Sequence, residues 1–318
     1  MKIKRQQGMS LLELMVAMTI GIFLVGGAFV VFLSASDSRR TNEDISRMQE
    51  NARYAMDTIK ADVRLAGYWG LTRDVGIIES YNGTATQLDE ITGDCAARWY
   101  IDLANAVFAS NDSNPYAATC LAAADYQANT DVLVLRHASP IEAAALETGF
   151  MYIRSDAARG EVFEGSTGAA NTYSTDAQDH RLLTHAYYVR PYTFSAGDGL
   201  PSLRRLVLNS NGTVPVITDE EVIPGVEDLQ VQYGVDDNGD GAVNRYIDPD
   251  TALGASEVLA LRIWVMTRAP TNERGFTDSS TYVYGSRSVT PAAPANSFRR
   301  MLLTSTIRLR NLGPVSTP

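Results

Sequence analysis

From Leu14 to Leu33 the chain runs 20 residues without a charged side chain. A helix of that length rises about 30 Å, one hydrocarbon thickness of a bilayer. In front of it stands a short polar leader, Met1 to Gly8, carrying Lys2, Lys4 and Arg5. Basic residues on that side keep the leader cytoplasmic and send the rest of the chain across the membrane. A secretory signal peptide has the same outline. Three features separate this segment from one. The apolar run is longer than the usual core of about 7–15 residues. No small-residue cleavage site follows promptly, Ser34-Ala35-Ser36 being the nearest. Glu13 sits inside the apolar block. A mid-membrane carboxylate costs roughly 2.5–3.5 kcal/mol, so Glu13 needs a compensating partner or must snorkel to the headgroups.

Composition narrows what the exported part does. The chain has 318 residues, enough for one large domain or two small ones. With 45% hydrophobic and 20% charged residues it is neither disordered nor polytopic. The formal charge is −10, from 27 Lys+Arg against 37 Asp+Glu. That balance offers no footprint for nucleic acid. Three histidines, His137, His180 and His185, leave little material for His-based catalysis or His-rich metal sites. His180 and His185 read as surface or satisfied core side chains. The sequence has no phosphate-binding loop, His-Glu-x-x-His, Gly-x-Ser-x-Gly or Cys-x-x-Cys, and no enzyme is expected. Export to an oxidising compartment lets Cys95 and Cys120, the two cysteines, pair as a disulfide. Trp69, Trp99 and Trp264 read as core anchors.

Beyond the membrane run the helix continues. Ile45, Met48, Ala52, Ala55, Ile59, Val63 and Ala66 recur at steps of three or four and form one apolar stripe. Arg39, Arg40, Glu43, Asp44, Arg47, Glu50, Arg53, Asp57 and Lys60 occupy the opposite face. Gly67 is the expected C-terminal cap. A single helix from Ser10 to Ala66 would span roughly 80 Å. Gly21, Gly26 and Gly27 would allow close helix approach. From Tyr68 onward the pattern turns to β. Expected strands are Thr130–His137, Ala186–Pro191, Leu203–Leu208, Val226–Val235, Val258–Arg268 and Met301–Leu309, with turns at Asn82-Gly83, Asn211-Gly212, Pro224-Gly225 and Asn238-Gly239. The stretches 164–180 and 275–296 read as surface loops, and Asn311–Pro318 as a frayed tail.

Gly8-Met9-Ser10-Leu11-Leu12-Glu13 resembles the class III signal of type IV pilins and type II secretion pseudopilins. The resemblance implies cleavage by prepilin peptidase between Gly8 and Met9, methylation of the new amine of Met9, and a register role for Glu13 against a neighbour's N-terminus. Met9 departs mildly from the commoner Phe. Three further segments are similar to PilW-type minor pilins: Asn51-Ala52-Arg53-Tyr54 through Tyr68, the block Pro224–Asp236, and the closing strand Leu303–Leu309 with Arg308 and Arg310. The implied fold is α+β. A long N-terminal helix, transmembrane in its first half and amphipathic in its second, packs on an enlarged antiparallel β-sheet head. The implied divisions are a leader 1–8, a membrane and filament-core helix 9–33, an amphipathic helix 34–66 and a periplasmic head 67–318. The implied role is a minor pilin that primes pilus assembly in a tip complex. Its partners would be other minor pilins, the major pilin, the inner-membrane assembly platform and a tip adhesin. The subunit would sit in the bacterial inner membrane and then at the pilus tip. The alternatives are a J-type pseudopilin of type II secretion and a membrane-tethered periplasmic enzyme or ligand-binding domain.

One loop invites a cation. Asp236, Asn238 and Asp240 match positions 1, 3 and 5 of an EF-hand-like calcium loop, with Gly241 at 6, the Ala242 carbonyl at 7 and Asn244 at 9. Position 12 is Ile247, and Asp248 follows one residue late. A hairpin turn rich in Asp and Asn is the competing reading. No cofactor is otherwise required.

Overall fold

A computed structural model describes residues 10–79, 91–96, 98–252 and 257–312. The chain divides into two compact units, Met1–Arg47 and Met48–Pro318. One helix, α1, runs Leu11–Leu65. It starts with a reciprocal cap. The Ser10 N–H donates to the Glu13 carboxylate at 3.0 Å, and the Glu13 N–H donates to the Ser10 hydroxyl at 3.4 Å. In the first unit the apolar side chains of this helix lie bare, Leu11 at 77% and Phe23 at 76% exposure.

The second unit begins with the last stretch of α1. Met48, Ala52, Ala55, Met56, Ile59 and Val63 are buried there, the expected stripe with Met56 added and Ile45 only half-buried. The helix ends where Gly67 takes φ +77°, a conformation that side chains disfavour. The Gly67 N–H then donates to the Arg136 carbonyl at 3.0 Å.

The strands in chain order are β1 Ile78–Glu79, β2 Val107–Ser110, β3 Val132–Glu142, β4 Met151–Ser155, β5 Gly160–Glu164, β6 Gln178–Arg190 and β7 Ser202–Ser210. There follow β8 Pro215–Pro224, β9 Val226–Asp236, β10 Arg245–Ile247, β11 Glu257–Arg268, β12 Tyr282–Tyr284, β13 Arg287–Val289 and β14 Arg300–Arg308. Among the described residues β1 to β8 form an eight-stranded sheet around the long β6, ordered β1-β5-β4-β6-β3-β2, with β7 joining β6 to β8. Its pairs are antiparallel except β1 with β5. A second sheet is ordered β10-β9-β11-β14, all antiparallel.

The helical stripe fills the space between the two sheets. Ala55, Met56, Ile59 and Val63 share one core with Leu133 and Leu135 of β3, Tyr187 and Val189 of β6, Leu229 and Val231 of β9, and Leu261 and Ile263 of β11. The far face of the large sheet carries a second core. Val132, Val134 and Ala138 of β3 meet Trp99, Tyr100, Ile101, Leu103 and Cys95 from the preceding segment. A strand covered on both faces reads as a continuous apolar run rather than an alternation, as Val132 to Leu135 do before Arg136 and His137. Cys95 and Cys120 form a disulfide within this covering segment. Arg136, buried in β3, fastens the segment to the sheet. Its guanidinium donates to the Trp99 carbonyl at 2.9 Å and the Asn105 carbonyl at 2.6 Å, and burial lowers its pKa.

Several loop expectations require correction. Within 275–296 the chain builds the β12–β13 hairpin, and Tyr284 packs on Trp264 and Met266 across the outer face of the second sheet. Gln178–His180, expected in a loop, open β6. Asn311 and Leu312 are not frayed. The Asn311 amide donates to the carbonyls of Arg64, Leu65 and Ala66 at 3.2–3.4 Å, closing the end of α1. Leu312 lies over Gly67, where a Cβ would meet it at 2.6 Å. Residues 313–318 lie outside the described residues.

Three outcomes test this packing by chemical denaturation of the full chain in detergent. Ile59→Ala should cost about 2–5 kcal/mol, as buried Ile-to-Ala changes do. Tyr54→Ala, on the exposed side of the same helix, should stay within about 0.5 kcal/mol. Replacing both Cys95 and Cys120 by Ser should cost about 2–4 kcal/mol.

Candidate functional site

Chemically loaded side chains gather at the N-terminal turn of α1, at the seam between α1 and the large sheet, and in the β9–β10 turn. Gly8 and Met9 lie outside the described residues. Glu13 stands in the first turn of α1, where a carboxylate complements the helix N-terminus. Among the described residues its carboxylate accepts from the Ser10 N–H alone, so its oxygens stay open to a further donor. Gly21 and Gly26 leave open space beside them, where an added Cβ would meet nothing within 4 Å.

The seam follows from two periodicities. Asp62 lies three residues after Ile59 and four before Ala66, so it shares the buried side of α1. His137 lies two residues beyond Leu135 on β3, and Tyr187 two beyond His185 on β6. The register sets Leu135 opposite His185 and His137 opposite Leu183. All three side chains therefore face the helix. The His185 Nδ1 lies 2.6 Å from Asp62 Oδ2, and the Tyr187 hydroxyl donates to the same oxygen. The His137 Nε2 lies 3.6 Å from Asp62 Oδ1, and its Nδ1 lies 2.9 Å from the Ala138 carbonyl. Burial works to raise the Asp62 pKa, but the His137 and His185 imidazoles and the Tyr187 hydroxyl outweigh it and hold the carboxyl far below its usual range. The Tyr187 hydroxyl is pushed well above its usual value by burial and by Asp62.

Asp62, His137 and His185 are the one group of three potential metal ligands among the described residues. The sequence reading named the two histidines but joined them to nothing, and it passed over Asp62. The i, i+3 spacing from Ile59 was the available signal. His180 is a satisfied core residue, its ring nitrogens meeting the Ser139 carbonyl at 2.9 Å and the Gln178 side chain at 3.2 Å.

In the β9–β10 turn the oxygens are engaged by the loop itself. The Asp236 carboxylate accepts from the N–H groups of Asn238, Gly239 and Gly241 at 2.7–3.0 Å. Desolvation pushes its pKa up, and these donors outweigh that and lower it. Asn238 accepts from the Asp240 N–H, and Asp240 from the Ala242 N–H. The Asn244 side chain accepts from the Asp237 N–H at 2.7 Å. Asp248 accepts from the Gln232 amide at 2.8 Å. Hydrogen bonding alone therefore accounts for the loop's shape.

The comparisons fall into place on this geometry. The prokaryotic N-terminal methylation motif matches residues 3–29, the leader and the start of the apolar helix. The family of type IV pilus-assembly protein W matches residues 186–311, from β6 to the cap of α1. None of the curated proteins compared with the chain matches it. The solved structure of the type IV-like pilin TTHA1219 from Thermus thermophilus shares 14% identity. It covers 57% of this chain and 79% of its own, with a TM-score of 0.29, a likeness too loose to bear on function. The methylation motif on a long apolar helix is similar to the start of type IV pilin-like proteins. The second match supports the PilW type within that class, a minor pilin of the type IV pilus. The assignment implies a structural rather than enzymatic protein, anchored by its apolar helix and associated with pili.

The seam makes its own prediction. Asp62→Ala leaves the buried Tyr187 hydroxyl and the His185 imidazole without an acceptor and should destabilise the head by about 2–4 kcal/mol. Tyr187→Phe, which keeps the packing, should cost about 1–2 kcal/mol. Equal costs for the two would show that the carboxylate does not organise the seam.

Proposed function

We propose that the chain is a minor pilin that primes type IV pilus assembly as part of a minor-pilin tip complex. The observation that carries the reading is the pairing of the methylation motif with the PilW match on one chain. Prepilin peptidase cleaves between Gly8 and Met9, and the amine of Met9 is methylated. Residues 9–33 then hold the subunit in the inner membrane with its head in the periplasm. Their bare apolar side chains favour lipid or neighbouring helices over water.

Glu13 chooses the register. In a low-dielectric surrounding its carboxylate gains far more from a neighbour's N-terminal ammonium than it would in water. The exposed Ser10 contact is a weak competitor, so a stronger cationic donor displaces it. The head offers surfaces to other minor pilins, the major pilin and a tip adhesin. Assembly proceeds on the inner-membrane platform.

The role requires no cofactor. Calcium in the Asp236–Asp248 loop is proposed beside it. A melting temperature of the full chain that rises in calcium and falls in EGTA would support that ion. An unchanged temperature would leave the loop as a self-capped turn.

A clean deletion strain, with and without the retraction ATPase, tests the function. Surface pili should fall severalfold in the deletion and partly return when retraction is blocked. Glu13→Ala should give the same loss with a normally folded head, and the mature wild-type protein should begin at methylated Met9 by mass spectrometry. Normal pili with failed protein secretion would overturn the reading in favour of a type II secretion pseudopilin. An intact Met1 would overturn the whole class.

A further inference from the structure

We propose that Asp62, His137 and His185 bind one divalent transition-metal ion of the zinc class at the seam between α1 and the large sheet. The first reason is an unmatched lone pair. The His137 Nδ1 lies 2.9 Å from the Ala138 carbonyl oxygen, which can only accept, so Nδ1 carries a proton. In the neutral ring Nε2 is then a bare acceptor. His137 is 1% exposed, and its Nε2 has no hydrogen-bond partner. It faces another acceptor, Asp62 Oδ1, across 3.6 Å. That gap is too long for a good hydrogen bond, and two buried acceptors face each other stably only when a proton or a metal ion joins them.

The second reason is the size of the gap. A zinc ion sits about 2.0–2.1 Å from a ligating nitrogen and about 2.0–2.2 Å from a carboxylate oxygen. At angles between tetrahedral and trigonal, those bonds set the two ligand atoms about 3.3–3.6 Å apart. His185 supplies the third ligand, all three ligand atoms lying within 4.8 Å of one another. Its Nδ1 swings from Oδ2 towards the ion and gives up its proton while Nε2 carries the ring's one remaining proton, so that a neutral imidazole ligates.

The surroundings complete the site. The Ala138 carbonyl fixes the tautomer of His137, and the Tyr187 hydroxyl holds the second Asp62 oxygen, both typical of the contacts that orient metal ligands. Asp62 keeps 13% of its side chain exposed, which admits the ion and a water as fourth ligand. The nearby Arg205 is neutralised by Glu220 at 3.1 Å. Two imidazoles beside one carboxylate select a zinc-class ion over calcium, which prefers an all-oxygen shell. A doubly protonated His137 would satisfy the same lone pair without a metal, and the test separates the two.

The full chain is purified in detergent, stripped with a chelator and titrated with cobalt(II) and then zinc. One cobalt per chain should bind and give the visible band of a four-coordinate ion, zinc should displace it, and zinc should raise the melting temperature. His137→Gln and Asp62→Asn should each weaken binding at least tenfold, while His180→Gln, outside the cluster, should leave it unchanged. Calcium should not compete. Folded wild-type chain that takes up no cobalt overturns the site, whether or not the variants fold. So does uptake that is equal in wild type and His137→Gln. Stability that follows pH identically with and without zinc overturns it in favour of the protonated histidine. None of these outcomes bears on the pilin reading.

Discussion

The head depends on one buried helical face. From Ala55 to Ala66 the buried stripe lies against both sheets at once, and each sheet turns the apolar side of its central strands toward it. Burying one Ile or Met side chain of that stripe contributes about 1.5–3 kcal/mol. Polar contacts then fix the helix along its axis. The Asn51 amide donates to the Pro224 carbonyl at 2.9 Å, just ahead of the β8–β9 turn at Gly225, and the Asn311 amide closes the C-terminal carbonyls. Both amides bind main-chain oxygens, so they set position without introducing a buried charge. The turn and the tail that reach the helix both lie within the segment 186–311 that matches the PilW family.

What the sequence displayed were the elements whose pattern has a single cause. α1 was legible because lipid-length hydrophobicity and a 3.6-residue stripe follow one another without a break. The strands β7, β9, β11 and β14 were legible because each is rich in β-branched and aliphatic residues between turn signals. Others were hidden for physical reasons. β8, Pro215-Val-Ile-Thr-Asp-Glu-Glu-Val-Ile-Pro, carries three acidic residues in its middle because it lies at the rim of its sheet, where Arg204 and Arg205 of β7 pair with Asp219, Glu221 and Glu220. The β12–β13 hairpin is too short and polar to show a period. It forms because Tyr284 finds Trp264 and because Arg287 reaches Asp112 and Asp228 at 3.2 Å. The tail looked frayed because what orders Asn311 is the set of carbonyls at the far end of α1, which no local window contains.

The candidate site divides along the same line. Glu13 announced itself, since a carboxylate in an apolar run has no neutral explanation. Asp62 did not, since an acidic residue on an amphipathic helix is ordinary. Only the pairing of β3 with β6 brings His137 and His185 under the helix, and that register is a tertiary fact. Cys95 and Cys120 were paired by compartment and by elimination, and the structure shows the use of the bond. It ties off a segment that carries few regular hydrogen bonds yet must cover the second face of β3.

With Glu13 in the proposed assembly role, the two carboxylates on α1 would let assembly and folding be tuned separately on one helix. Glu13 is satisfied within its own first turn, by a contact that is exposed and local. Exchanging that contact for a stronger donor disturbs nothing beyond the turn, so its partner can change when subunits meet. Asp62 is satisfied by β6 through His185 and Tyr187, while His137 of β3 faces its other oxygen. Its partners lie on both strands beneath the helix, so removing the carboxylate disturbs the seam itself. A reversible contact requires a carboxylate with one weak, solvated partner, and a permanent one requires several buried partners. The helix places the first where neighbouring chains are expected to arrive, and the second where the head must already be closed.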